Sequence, residues 1–170
     1  MDIKIVKAIN EQIKNEFYSA YLYLGMSAYF ETINLPGFAS WMQQQTQEEL
    51  AHAMKLYAYL NDVGAKVELA AIPKPPTDYK SSLDVFKQIL VHEQKVTGMI
   101  NKLYDLAKKV GDNATTIFLQ WFVTEQVEEE KSVSTVIETL KRIKLDSGQI
   151  IMVDQQMSQR VSAAQNKETV

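Results

Sequence analysis

Cysteine is missing from this chain of 170 residues, and its absence excludes disulfides, thiol nucleophiles, iron–sulfur clusters and cysteine-based zinc sites. A metal site in this protein would therefore have to use oxygen and imidazole ligands. Glycine and proline are also scarce, at 6 and 4 residues, so there are few points at which a helix must break. Long uninterrupted helices are the structure that this composition favours.

A strong excess of charge is lacking too. The 18 basic and 21 acidic residues leave a net charge of -3, and no run of lysine or arginine is long enough to follow a nucleic-acid backbone. No uncharged apolar stretch reaches about 18 residues, and the opening MDIKIVKAIN has no apolar core of a signal peptide. We expect a cytoplasmic protein of one domain, with neither a nucleic-acid nor a membrane partner.

Turn sequences divide the chain at only a few places. Three of the four prolines fall in AAIPKPPTDYK at residues 70–80, and shorter turns such as NLPG and VGDNAT separate the other segments. This pattern predicts an all-α four-helix bundle with one long crossover and a short fifth C-terminal helix. The predicted helices run from Ile3 to Asn34, Pro36 to Val63, Ser82 to Lys109, Asn113 to Lys144 and Asp146 to Arg160. Residues 1–160 would form the domain, and residues 161–170 a polar C-terminal tail.

Each long predicted helix carries one glutamate inside its apolar stripe. Residues placed at about 100° per step put these carboxylates near the centre of the stripe rather than at its edge. The four positions are Glu16, Glu49, Glu93 and Glu129. His52 follows Glu49 by one turn and lies about 60° round the same helix.

Four ionised carboxylates facing one another in a dry core would each cost several kcal/mol, so the folded chain needs protons or cations there. No inward lysine or arginine supplies positive charge. Two divalent metals would balance the four carboxylates, and a carboxylate set with one imidazole favours iron or manganese. The spacing from Glu49 to His52 lets both side chains reach one ion. The alternative is that the glutamates belong to solvated acidic faces.

Four stretches resemble the non-haem ferritins of bacteria and archaea: NEFYSAYLYL, QEELAHAMK, HEQKVT and FLQWFVTEQVEEEKS. The resemblance covers about residues 1–160 and implies a ferritin-type bundle that binds two irons per subunit. Two positions differ from the bacterioferritins. Ser132 stands where those proteins have an iron-binding histidine, and Leu50 where they have a haem-binding methionine. The resemblance therefore implies a protein without haem.

The same resemblance assigns roles to the inward residues. It implies that Glu16 and His52 bind one iron and that Glu49 bridges the pair. Glu93 and Glu129 would bind the second iron, with Gln126 close by.

Further residues have both a functional and a structural interpretation. Tyr23 matches a family tyrosine that can supply an electron to the iron pair, and otherwise it is a core tyrosine with a satisfied hydroxyl. Glu48, Glu125 and Glu128 resemble the acidic ligands of a third iron site. Glu48 and Glu128 lie about 100° from the neighbouring inward glutamate on their helices, so they could instead face water.

The implied activity is oxidation of Fe(II) by O2 or H2O2, followed by storage of ferric mineral in a hollow shell of 24 subunits. The short fifth helix would line the four-fold contacts of that shell. Animal ferritins have acidic three-fold pores, whereas the matching positions here are Thr116 and Leu119. Alternatives are a passive iron store and a scaffold with protonated glutamates. A rubrerythrin-like peroxidase would usually need a four-cysteine module, which this chain lacks.

Overall fold

The computed structural model describes residues 1–144 and 148–159, and within them every regular element is an α-helix. This confirms the predicted all-α class. The helices are α1 (Ile3–Thr32), α2 (Pro36–Asp62), α3 (Ser82–Val110), α4 (Asn113–Lys141) and α5 (Gln149–Met157). No helix in the described part of the chain is both long and apolar enough to cross a membrane.

The helix ends differ slightly from the predicted ones. α1 ends at Thr32 rather than Asn34, because Asn34 adopts a left-handed backbone with φ 55° and turns the chain into α2. α4 ends at Lys141 rather than Lys144, whose backbone N–H donates to the Gln149 side chain at 3.0 Å. The predicted limits of α5, Asp146 and Arg160, lie outside the described residues.

Three of the four long helices begin with a local side-chain cap. Asp2 accepts a hydrogen bond from the Lys4 backbone N–H at 2.7 Å. Ser81 caps α3 and Asp112 caps α4 in the same way. The fourth long helix, α2, begins after Leu35, which makes no capping hydrogen bond with its side chain.

The apolar core consists of two clusters at opposite ends of the bundle. One contains the start of α1 with the end of α2, and the end of α3 with the start of α4. The other contains the opposite ends of all four helices together with α5. The pairs α1/α2 and α3/α4 are therefore antiparallel, whereas α2 and α3 run in the same direction. The connection from residue 63 to 81 must accordingly traverse the length of the bundle, as the predicted crossover requires.

The fifth helix docks on the start of α2. Val153 and Met157 pack into the core cluster at that end of the bundle. The Asp154 carboxylate, 7% exposed, accepts a hydrogen bond from the Phe38 backbone N–H at 2.9 Å. Gly37 allows this approach, because a Cβ at that position would lie 1.7 Å from the Asp154 carbonyl oxygen.

Candidate metal centre

The inward glutamates occupy the gap between the two apolar clusters. In every long helix, one glutamate lies between the residues of one cluster and those of the other. Glu16, Glu49, Glu93 and Glu129 are each at most 5% exposed, and so is His52. The helical periodicity has therefore brought four carboxylates and one imidazole into a buried polar layer.

The first half of this layer joins α1 and α2. One ligand atom from each of Glu16, Glu49 and His52 lies within 4.8 Å of the other two, so all three could bind one metal ion. His52 Nδ1 lies 3.4 Å from Glu49 Oε2. The imidazole is oriented by an edge-to-face contact with Trp121, with ring centroids 5.4 Å apart.

The second half joins α3 and α4. Tyr23 donates its hydroxyl hydrogen to Glu93 Oε1 at 2.5 Å. The Gln126 amide lies 3.3 Å from Glu93 Oε2 and at the same distance from the Thr97 hydroxyl. Two neutral groups, the Tyr23 hydroxyl and the Gln126 amide, thus hold the Glu93 carboxylate in position.

Glu129 connects the buried layer to a more open region. Its Oε2 accepts a hydrogen bond from the Gln45 side chain at 2.9 Å. Ligand atoms of Glu129, His52 and Glu125 form a second group within 4.8 Å of one another. His52 therefore lies within reach of two possible cation positions.

Burial dominates the electrostatics of the centre. Removal from water raises the pKa of Glu16 from 4.5 to about 7. Burial, together with the neighbouring Glu93, Glu16 and Glu129, raises the pKa of Glu49 well above its usual range. Burial also raises the pKa of Glu93, against the opposing effect of the hydrogen bonds from Tyr23 and Gln126. Without a cation, burial therefore favours the protonated form of all three carboxyl groups.

The same environment also raises the pKa of Tyr23. Burial first, and then the negative charges of Glu93, Glu49 and Glu129, raise its pKa well above the usual value of 10.0. The phenol therefore stays neutral and remains a hydrogen-bond donor. Its ring lies fully inside the core, with an edge-to-face contact to Trp41 at 6.3 Å between centroids.

Two buried oxygen atoms at the centre have no amide, hydroxyl or backbone donor. Glu16 Oε1 accepts from Gln12 at 2.8 Å, whereas Glu16 Oε2 can pair only with the Glu49 carboxyl group. Gln45 donates to Glu129 through its nitrogen, and its Oε1 is unpartnered. A buried acceptor without a donor costs about 1–3 kcal/mol. Cations fit these oxygen ligands, because a cation supplies positive charge to oxygens that lack a hydrogen-bond donor in the protein.

The acidic residues implied for a third site line one open pocket. This acidic pocket has a volume of about 530 Å³ and includes Glu48, Glu125, Glu128 and the edge of Glu129. Glu48 and Glu125 are half-buried, whereas Glu128 is exposed. Trp41 and the α5 residues Gln156 and Met157 also line it. The three acids therefore share a cavity, although one of them faces water as the alternative interpretation proposed.

Sequence reasoning missed Gln12 and Gln45. Each stands four residues before an inward glutamate, Glu16 or Glu49, and that spacing places both on the same helix face. The pattern Q-x-x-x-E was therefore a usable signal for Gln12. It could not show that Gln45 pairs with Glu129 on another helix, because that contact depends on how α2 and α4 pack.

Three other positions are now located. Leu119 is completely buried in the core, so it cannot line a pore. Thr116 is half-buried at the start of α4 and donates to the Asp112 carbonyl at 2.8 Å. His92 is half-buried, with Nε2 at 2.8 Å from the Ser19 hydroxyl oxygen.

Comparison with known proteins agrees with this geometry. The family model for Ferritin, described as the ferritin-like domain, matches residues 6–143. The bacterial non-heme ferritin of Staphylococcus saprophyticus is 41% identical over 157 residues, covering 92% of this chain and 94% of that protein. The corresponding protein of Staphylococcus haemolyticus is 39% identical over 156 residues, with the same coverage.

A solved structure extends the similarity to three dimensions. A crystal structure described as a novel open pore ferritin from the hyperthermophilic archaeon Archaeoglobus fulgidus has a TM-score of 0.93 and 43% identity. The match covers 95% of this chain and 99% of that one. On the family match, the sequence identities and the four-helix architecture together, this chain belongs to the ferritin family.

Proposed function

We propose that this protein is an iron store with ferroxidase activity. It oxidises Fe(II) with O2 or H2O2 at a di-iron site within each subunit and deposits ferric mineral inside a hollow shell of 24 copies. One observation carries the proposal: four glutamates and a histidine meet in the core, and no described lysine or arginine is buried beside them. The names of the relatives, non-heme ferritin and ferritin, support the same function.

The proposed first step is binding of two Fe(II) ions in place of protons. Glu16 and His52 bind one ion, Glu49 bridges, and Glu93 with Glu129 binds the other. Each Fe(II) that enters must displace protons held by the buried carboxyl groups, because burial raises the pKa of Glu16, Glu49 and Glu93. Binding of the substrate is therefore tighter as the pH rises.

The redox step is balanced by the iron pair. Two Fe(II) ions become two Fe(III) ions and release two electrons, which with two protons convert O2 to H2O2, or H2O2 to two waters. The carboxylates stabilise the higher charge of the product ions. Gln126 holds the orientation of Glu93 through a neutral amide, and so adds no charge to the site.

Tyr23 is proposed as an additional electron donor. Its hydroxyl is hydrogen-bonded to Glu93 Oε1 at 2.5 Å, so the carboxylate is placed to take the phenol proton when the ring gives up an electron. The alternative role is structural, since the same hydrogen bond satisfies a buried hydroxyl.

The acidic pocket is proposed as a third iron site. Glu48, Glu125 and Glu128 would hold an ion there, next to the group formed by His52, Glu125 and Glu129. This arrangement gives product iron a route away from the buried pair through carboxylates of increasing solvent exposure.

The remaining proposals concern the whole protein. It works in the cytoplasm. It binds no haem, because Leu50 offers no sulfur. The domain is proposed to cover residues 1–160, with its fifth helix at four-fold contacts of the shell. The predicted polar tail, residues 161–170, lies outside the described part of the chain. Iron reaches the interior by a route other than an acidic pore at Thr116 and Leu119, because Leu119 is buried.

An anaerobic Fe(II) titration followed by O2 tests the central proposal. We expect two rapidly oxidised irons per chain, then slower uptake of many more into particles whose size is measured by light scattering. A passive store would take up iron without the rapid phase. A scaffold with protonated glutamates would bind no Fe(II) in the anaerobic stage. Either result would reject ferroxidase activity.

A further inference from the structure

The start of α2 is the only long-helix start in the described residues without a local side-chain cap. Asp2, Ser81 and Asp112 cap the other three from adjacent sequence. The first backbone N–H groups of a helix need an acceptor from outside the helix, because no helical carbonyl lies four residues before them. At α2 the acceptor for the Phe38 N–H is the Asp154 carboxylate, from a helix 116 residues further along the chain.

This cap fixes the position of α5 as well as the end of α2. A carboxylate at a helix N-terminus is favoured by the positive end of the helix dipole as well as by the hydrogen bond. Gly37 lets the two backbones approach closely, since any Cβ there would overlap the Asp154 carbonyl group. Val153 and Met157 bury their side chains on either side of this contact. The interlock between Gly37 and Asp154 thus determines where α5 lies on the bundle.

The position of α5 in turn shapes the acidic pocket. Gln156 and Met157 line that pocket together with the glutamates of α2 and α4. They follow Asp154 by less than one turn, within about 5 Å along the helix axis. Trp41, which belongs to α2 and lies one turn after Gly37, lines the same pocket. One hydrogen bond therefore connects the start of α2 to one wall of the cavity.

We propose that α5 is a functional wall of the acidic pocket and that Asp154 is the positioning residue that holds it there for cation binding. The ligand class is a hard cation with oxygen ligands, such as iron in either oxidation state. The inference rests on the proposed third site and extends it. Asp154 does not touch the cation; it keeps Gln156 and Met157 against the carboxylates. Gln45 supports a cation on this side of the centre, because its amide nitrogen donates to Glu129, a pocket residue, while its buried Oε1 has no partner.

Terbium(III) is a suitable probe, because it prefers oxygen ligands and emits light when a nearby tryptophan is excited. The chain has 2 tryptophans, and Trp121 lies beside His52. Trp121→Phe therefore leaves Trp41, a pocket residue, as the only indole donor. The part of the emission that Glu48→Gln with Glu128→Gln abolishes is assigned to the acidic pocket.

The test uses variants from both sides of the interlock in the full-length Trp121→Phe protein. Asp154→Ala removes the acceptor, and Gly37→Ala displaces the Asp154 backbone; we expect each to weaken pocket binding of Tb(III) roughly tenfold or more. Asp154→Asn retains an oxygen acceptor and should bind like the parent. Gly98→Ala is the matched glycine control, because nothing lies within 4 Å of its added Cβ.

A second metal separates positioning from general damage. Co(II) absorption, followed in a Glu125→Gln protein that lacks the second group beside His52, reports the position formed by Glu16, Glu49 and His52, and it should be unchanged by Asp154→Ala. Equal loss of Co(II) and Tb(III) binding would overturn a specific role for Asp154. A specific role for Asp154 would also be overturned if pocket binding were lost only in variants that fail to assemble, as measured by light scattering. The wall would then depend on a neighbouring subunit.

The remaining outcomes distinguish this inference from the function on which it rests. If Asp154→Ala binds Tb(III) as tightly as the parent, the role of α5 is wrong while the third site stands. If the parent has no emission that Glu48→Gln with Glu128→Gln removes, the third site is wrong and the inference is wrong with it. Rapid oxidation of two irons per chain would still support the ferroxidase proposal in both cases.

Discussion

Carboxyl groups occupy two different environments in this protein, the buried centre and the acidic pocket. Glu16, Glu49 and Glu93 are almost completely buried, and burial raises their pKa values. Glu48, Glu125 and Glu128 border a cavity that opens to water, and Glu128 is exposed. Water stabilises the ionised form of an exposed carboxylate, whereas a buried one needs a proton or a metal ion. The difference suits tight, pH-dependent binding in the centre and exchangeable binding at its margin.

The bridging residue should show the largest effect. Glu49→Ala is expected to abolish the rapid phase of Fe(II) oxidation, because it removes the carboxylate shared by both proposed irons. The apo protein should remain folded and assembled, with equal or higher stability, since a buried ionisable group is also removed. Stopped-flow oxidation and thermal unfolding measure the two effects. Glu138→Ala, on the exposed side of α4, serves as the control. Oxidation by Glu49→Ala at the parent rate would show that Glu49 does not bridge.

The apo protein should become less stable as the pH rises from 4.5 through 7. The pKa of Glu16 is raised from 4.5 to about 7, so its contribution to stability is fully present below pH 4.5 and is lost as the pH rises through 7. This change corresponds to about 3 kcal/mol at most. Glu49 and Glu93, also raised, act with the same sign. Thermal unfolding of apo protein across this range measures the loss.

Two comparisons test the origin of that pH dependence. Glu16→Gln should reduce it, because the amide cannot ionise. Zn(II), which is redox-inert, should stabilise the protein by an amount that grows with pH as protons leave the carboxyl groups. An apo stability that rises steadily from pH 4.5 to 7 would contradict protonated central carboxylates.

Removing acids from the pocket should have a smaller effect. Glu48→Ala with Glu128→Ala is expected to leave binding of two Fe(II) per chain intact, because the ligands of the buried pair are retained. The number of irons oxidised per O2, and the recovery of rapid oxidation between additions, should change if product iron passes through the pocket. Rapid mixing combined with oxygen consumption measures both. An unchanged ratio with unchanged recovery would leave these residues as surface charge.

The smallest expected effect is a null result with haem. Leu50 provides no sulfur at the position where bacterioferritins have a methionine. Protein incubated with haem should therefore show no bis-methionine spectrum after removal of free haem, whereas Leu50→Met tests whether the position alone is sufficient. A tight stoichiometric complex in the unmodified protein would overturn the non-haem assignment.

The inward positions of the glutamates followed from helix periodicity, which is a local property. Once α1 is helical, Glu16 must share a face with Ala20 and Tyr23, whatever the rest of the chain does. Burial of that face is then required by its apolar neighbours. The all-α class and the crossover were likewise predictable, because proline and glycine are concentrated at so few places.

Contacts between distant helices were not predictable in this way. The pairing of Gln45 with Glu129, and of Tyr23 with Glu93, depends on the rotation and offset of packed helices. The sharing of one pocket by Glu48, Glu125 and Glu128 has the same origin. Their angular positions alone left open whether they faced water.

Composition and helix periodicity are sufficient to fix the ligand chemistry of this protein. Without cysteine, and with one glutamate in each apolar stripe, a buried cation site could use only oxygen and imidazole. The packing of the helices sets which of these groups meet, which oxygens remain without a donor, and where α5 lies. The hydrogen bond from Phe38 to Asp154 illustrates the reason. Helix formation depends on neighbours within about four residues, whereas a cap supplied from 116 residues away exists only after the helices have packed.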